Sequence, residues 1–236
     1  MEIHGISGFA GFLSIFGLLL LGGFSYWRYV WFFRNPSRHP PPGKGLLSPA
    51  DGTVVYVETV APAEPVISIK RGIHISVNDI VREHLHEQKV LIGIFMSPFD
   101  VHFNRAPLSG QIGSVRHHPA VTRNLHMGAM HLRTILRWPP LFRSSLHLLQ
   151  NERTVTRIDG EFKEQPLSCY LIQIAGGSVS GIDSYVREGE TVARGAIFGM
   201  IRIGSQVDLV VPFAAGMELR VRPGQKVRAG ETVLIE

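Results

Sequence analysis

A single cysteine, Cys169, stands among 236 residues. One thiol excludes an intrachain disulfide, and any zinc or iron–sulfur site built on the cysteines of one chain. Charge is sparse too, at 18% of residues against 44% hydrophobic, which excludes a chain disordered as a whole. The charge leans basic, 24 Lys and Arg against 19 Asp and Glu, a net +5. The length suits one large domain or two small ones.

Charge is missing altogether from residues 5–27 (GISGFAGFLSIFGLLLLGGFSYW), which also lack His and Pro. At about 1.5 Å per residue, a helix of this length crosses the roughly 30 Å hydrocarbon core of a bilayer. A buried core helix is the competing reading. A cleaved signal peptide fits poorly, because Glu2 and His4 stand where a basic n-region belongs. Trp27, Tyr29 and Trp31 follow as an interfacial aromatic belt. Arg28, Arg34, Arg38 and Lys44 come before the next acid, Asp51. The positive-inside rule then puts the N-terminus outside and residues 35–236 in the cytoplasm. The expected layout is a membrane anchor over 1–34, a stiff, exposed proline-rich linker over 35–45, and a folded domain over 46–236.

Beyond the linker the pattern is one of short strands, as in 52–57 and 90–95, with Gly and Pro turns. Val186-Arg187-x-Gly189-x-x-Val192-x-x-Gly195 recurs 35 residues later as Val221-Arg222-x-Gly224-x-x-Val227-x-x-Gly230. A second echo sets Pro49-x-x-Gly52-x-Val54 against Pro107-x-x-Gly110-x-Ile112. The expected class is α+β, mostly β. The repeats resemble the turns of a barrel-sandwich hybrid, the fold of biotinyl and lipoyl carriers. Those carriers present a lysine at a hairpin tip; here the only lysine after residue 163 is Lys226, inside a repeat turn, which argues against a carrier.

Lysine is absent from residues 114–157, which hold seven Arg, five His and one acid, Glu152. Leu125, Ala129, Leu132 and Leu136 recur at helical spacing, with His126, Met130, Arg133 and Arg137 beside them. This predicts a helix whose leucine stripe packs on the domain, or an interfacial helix touching anionic lipid. No RNA or DNA motif accompanies the charge, so nucleic acid is not an expected partner. His84-Leu85-His86 and His117-His118 lack a third ligand at metal spacing, and no metal is expected. Gly176-Gly177-Ser178 lacks the ending of a phosphate loop and reads as a turn.

Three segments concentrate chemistry: Ser48-Pro49-Ala50-Asp51-Gly52; Asp100-Val101-His102-Phe103-Asn104-Arg105 after an apolar strand; and Ile203-Gly204-Ser205-Gln206-Val207-Asp208. With the anchor, Phe32-Phe33-Arg34-Asn35-Pro36 and Asn151-Glu152-Arg153, they resemble the short form of the phosphatidylserine decarboxylase family over nearly the whole chain. The resemblance implies a proenzyme that cleaves its own Gly204–Ser205 bond into 1–204 and 205–236, which remain together as a heterodimer. Ser205 becomes an N-terminal pyruvoyl group, the cofactor that takes the substrate amine as a Schiff base. Carried over in the same way, Asp51 and His102 are catalytic. Where the long bacterial form has a second histidine this chain has Arg105, which stays protonated and cannot act as a base. His102, His117 and His118 therefore stay open as the self-cleavage base. Arg105 and Arg116 are candidates for the substrate phosphate. The implied reaction turns phosphatidylserine into phosphatidylethanolamine at the cytoplasmic membrane, with further homo-oligomerisation left open. Two other readings are a pyruvoyl decarboxylase of a soluble amino acid and a membrane-tethered binding module without catalysis.

Overall fold

A computed structural model describes residues 3–61, 64–69, 73–83, 86–141, 146–177, 181–202, 204–213 and 216–236. His84, Leu85, Ser178 and Ile203, singled out above, lie outside these. The chain divides into two compact units, Met1–Pro36 and Ser37–Glu236.

The first unit is α1 (Ile3–Tyr26) followed by a π-helical segment, Trp27–Trp31. A core helix would bury one stripe, yet none of the apolar window within Gly11–Trp31 is buried, and Phe12 and Leu19 are 64% and 69% exposed. An apolar surface of this size on all sides of a helix matches a hydrocarbon surrounding, by length and composition.

The second unit is mostly β. Its first half holds β1 (Leu46–Leu47), β2 (Gly52–Val60), β3 (Pro65–Ile69), β4 (Ile73–Ser76), α2 (Val77–Val81), β5 (Lys89–Met96), β6 (Phe103–Arg105) and β7 (Gly110–His118). Then come α3 (Gly128–Leu136), α4 (Leu146–Gln150), β8 (Arg153–Phe162) and β9 (Gln165–Ile174). The rest is β10 (Ile182–Ser184), β11 (Thr191–Val192), β12 (Ile197–Ile201), β13 (Ser205–Pro212), β14 (Lys226–Val227) and β15 (Val233–Ile235). Eight strands form one antiparallel sheet in the order β11-β7-β8-β9-β13-β5-β2-β14. One face buries Val54, Ile92, Ile94, Leu171, Val207 and Leu209; the other packs Ile172, Ile174 and Val210 under α2, α3 and α4. Burial on both faces explains why β5 is a nearly continuous apolar run.

The sequence echoes become a pseudo-two-fold in this sheet. Gly189 N–H donates to Ile112 O, and its counterpart Gly224 N–H donates to Val54 O. Gly195 to Ala106 O and Gly230 to Ser48 O form a second matched pair. The halves also bond each other reciprocally: Leu47 N–H to Pro107 O, and Arg105 N–H to Pro49 O. All four repeat glycines have left-handed φ, from +73° at Gly230 to +89° at Gly224, which is why glycine recurs there. The axis passes between β9 and β13, so the strand order reads alike from both ends.

The 35–45 segment is mostly exposed, as a stiff linker would be, and it is pinned at a few points: the Arg38 side chain is only 3% exposed, held by Asp51 and Glu231, while Arg194 donates to the carbonyls of Pro41 and Gly45. Ion pairs of Arg38 with Asp51 and Glu231 hold the segment on the surface of the β unit. The leucine stripe does not pack on the domain, which leaves the interfacial one of the two readings. Helix α3 begins after Leu125, Met130 is its buried residue, and Leu132, Ile135 and Leu136 are 56–60% exposed. The helix is short enough that one buried residue sets its orientation.

Candidate active site

Ser205 opens β13, opposite Met96 at the end of β5. Strand alternation turns its hydroxyl to the face shared with Val207 and Leu209. The residue is fully buried, and Oγ has no hydrogen-bond partner among the described residues. A buried hydroxyl without a hydrogen-bond partner is costly, by about 1–3 kcal/mol. Gly204 has φ +66°. A Cβ there would meet nothing within 4 Å, so glycine is required by the backbone angle and not by crowding.

The Gly204 carbonyl lies against Gly176. A Cβ on Gly176 would fall 1.8 Å from that oxygen, so the wall beside the Gly204–Ser205 bond admits only glycine. Asn151 supports this wall: its Nδ2 donates to Ala175 O at 2.7 Å and to Leu125 O at 3.1 Å, and its Oδ1 accepts from Leu125 N–H. Gly176, read from sequence as a turn, is thus part of the site. The signal available was its pairing with a second glycine at a strand end.

His102 is fully buried, and its Nδ1 donates to Asp100 O at 2.9 Å. A carbonyl only accepts, so the neutral ring carries its lone pair on Nε2, the tautomer a base requires. The His102 carbonyl accepts from Ile201 N–H, at the end of the strand that leads to Gly204. Around them Gln173 Nε2 donates to Asn104 Oδ1 at 2.8 Å, and Asn104 Nδ2 contacts Met96 Sδ.

The other expected residues fall elsewhere. Asp51 Oδ2 accepts from Arg38 Nη2 at 2.7 Å and Oδ1 from Ala229 N–H at 2.7 Å. Arg105 Nη1 donates to Gly195 O, and its backbone N–H to Pro49 O, so it braces the Asp51 corner against the strand that follows His102. Arg116 pairs with Glu83 on β7, separated from β13 by β8 and β9. His117 and His118 share that distant strand. His117 Nδ1 meets Thr154 Oγ1, and burial, then Arg153, push the His118 imidazole below its ordinary range.

A buried network not foreseen from sequence lies on the opposite face of β13. His147 Nε2 donates to Gln206 Oε1 at 3.0 Å; Gln206 Nε2 donates to Tyr56 Oη and Asp208 Oδ1; Tyr56 Oη donates to Asp208 Oδ2. Burial pushes the Asp208 carboxyl up to about 7, against the pull of those donors. The residue after Ser205 is thereby clamped from its far side. An aspartate within the apolar run Val207–Val211 was the available clue.

The fold and site are those of a mostly-β enzyme, with a buried serine at the mouth of its central strand. The chain matches the family model for phosphatidylserine decarboxylase over residues 26–235. It is 36% identical over 209 residues to a Methanopyrus kandleri protein named "Putative archaetidylserine decarboxylase proenzyme", covering 87% of this chain and 80% of that one. It is 33% identical over 225 residues to the phosphatidylserine decarboxylase proenzyme of Pelobacter propionicus, covering 95% and 80%. It is also 32% identical over 235 residues to that of Paraburkholderia phytofirmans, covering 99% and 88%. The chain belongs to the phosphatidylserine decarboxylase family.

Proposed function

We propose that this chain is a membrane-anchored proenzyme that cleaves itself at Gly204–Ser205 and then decarboxylates phosphatidylserine to phosphatidylethanolamine. The observation that carries the reading is the buried Ser205 hydroxyl, without a hydrogen-bond partner among the described residues, beside a glycine held at positive φ. In self-cleavage the Ser205 Oγ attacks the Gly204 carbonyl carbon, and the amide becomes an ester. His102 Nε2 takes the hydroxyl proton, since an unassisted serine is a weak nucleophile. Elimination at Ser205 then releases Gly204 as a carboxylate, and hydrolysis of the residual dehydroalanine frees ammonia.

The keto group so formed at position 205 supplies an electron sink for loss of carbon dioxide. The chain's own residues fit that role. Gln206, locked by His147 and Asp208, holds the amide that follows position 205. Pairing of β13 with both β5 and β9 keeps the 205–236 fragment seated after the break. His102 returns a proton to the substrate carbon. Asp51 and Arg105 support the segment that carries it. The domain lies on the cytoplasmic side of the cell membrane, by the basic residues after α1.

Denaturing mass spectrometry of the purified full chain tests this. The expected products are residues 1–204 and a 32-residue fragment (236 minus 204) with a blocked pyruvoyl N-terminus. Ser205→Ala leaves one intact, inactive chain. An intact wild-type chain that decarboxylates would sink the reading.

A further inference from the structure

The leucines of α3 face away from the protein, and beneath the helix lie two cavities. The larger, about 660 Å³, is walled by Val55, Tyr56, Pro139, Pro140 and Leu141, and its charged groups are two cations, Arg137 and Lys226, against one carboxylate, Glu58. The smaller, about 190 Å³, shares Thr53, Thr134, Arg137 and Lys226 with the first and extends to Phe95, Ser97 and His131. Phe95 and Ser97 flank Met96, the cross-strand partner of Ser205. Lys226 Nζ lies 3.4 Å from the carboxylate of Asp100, whose carbonyl holds His102 Nδ1. The cavities thus lie on the α3 face of the sheet, opposite the face of the Ser205 hydroxyl, and reach the sheet end where Met96 pairs with Ser205.

The chemistry of the walls selects an occupant. The rim is apolar and exposed: Leu132, Ile135, Leu136 and Trp138 each show more than half their surface. Arg137 sits at the end of α3 with no carboxylate partner among the described residues, and Lys226 is 64% exposed despite Asp100. His131 Nδ1 is buried and has no partner among the described residues. An apolar rim over a cavity bearing guanidinium, ammonium and imidazole groups is complementary to one anionic phospholipid, acyl chains outward and phosphate inward.

We propose that α3 and the two joined cavities form the access site for the phospholipid, with Arg137 binding its phosphate. This rests on the decarboxylase reading above for the direction of travel, but the binding itself does not need the chemistry. It also replaces Arg105 and Arg116, both committed to protein partners, as the phosphate ligand.

The experiment uses the full chain with Trp27→Phe and Trp31→Phe, which leaves Trp138 as the sole tryptophan. Detergent micelles doped with bromine-labelled phosphatidylserine quench Trp138 when an acyl chain reaches the rim. The expected result is saturable quenching whose midpoint rises about tenfold in Arg137→Glu. Arg187→Glu, the same charge change in the opposite repeat half, leaves the midpoint where it was. In the activity assay the KM for phosphatidylserine rises in parallel in Arg137→Glu. Replacing Leu132 and Ile135 with Ser weakens quenching by the diacyl lipid but not binding of glycerophosphoserine. Equal midpoints for wild type and Arg137→Glu overturn the proposal, as does an equal shift in Arg187→Glu. Quenching that behaves as expected in a chain that neither cleaves nor releases carbon dioxide would keep the access site and remove the decarboxylase reading.

Discussion

The two halves of the β unit share a backbone and differ in what they do with it. In the first, Ser109 Oγ accepts from Arg194 N–H at the repeat turn. In the second, the same place is taken by Asp51, whose Oδ1 accepts from Ala229 N–H. One hydroxyl is enough to cap the turn, so the carboxylate of Asp51 brings something extra: a charge that binds Arg38 and lies within the field of Arg105. The strand ends differ in the same way. In the first half a hairpin through Lys163 and Glu164 joins β8 to β9. In the second, the equivalent strands β5 and β13 are not consecutive, and the Gly204–Ser205 bond stands where the hairpin would be. The matched halves form one frame, and the proposed break at Gly204–Ser205 falls where no hairpin is needed, since β13 stays paired with both β5 and β9.

The sharpest way to break this comparison is to make the halves alike. Asp51→Ser keeps the turn cap and deletes the charge. Self-cleavage should slow by about 10²-fold, the scale of a misplaced catalytic group, while Ser109→Asp leaves the cleavage rate unchanged; quantified fragment ratios over time decide it. Equal rates in both variants would reduce Asp51 to a turn cap.

Next in size is the central strand that both halves share. The Asp208 carboxyl, raised by burial to about 7 from an ordinary 3.8, favours the protonated form in the folded state. Its contribution is full below the unfolded value and is lost as pH rises through about 7, a difference on the order of 4 kcal/mol. Asp208→Asn should flatten the fall in thermal stability between pH 4 and 7; an unchanged slope in calorimetry refutes the assignment.

The glycines give a smaller, paired effect. A Cβ at Gly189 or Gly224 meets open space or only Leu141 at 3.9 Å, so Ala should destabilise by about 1 kcal/mol through φ alone. At Gly195 it would strike Pro40 at 2.5 Å, and at Gly230 Arg105 at 2.9 Å, adding about 1–3 kcal/mol of overpacking. Denaturant midpoints should therefore rank by position within the repeat and not by half. Ser109→Ala belongs with the weakest of these, at about 1 kcal/mol for one lost hydrogen bond.

Local spacing made much of this legible. The uncharged 5–27 run specified a membrane-length helix, because crossing hydrocarbon depends on length and composition alone. The repeated glycines marked left-handed turns, because a positive φ is a property of one residue. Ser205 and His102 stood out through the company of neighbouring motif residues. What the tertiary structure decided were relations between distant residues. Tyr56 meets Asp208 and Gln206 across about 150 positions, Gly176 meets the Gly204 carbonyl through the register of two neighbouring strands, and Arg38 finds Glu231 across 193 positions. The outward turn of the α3 leucines belongs here as well, since periodicity defines a stripe but only packing chooses which side faces the core. Pairing and burial are long-range, and no spacing along the chain encodes them.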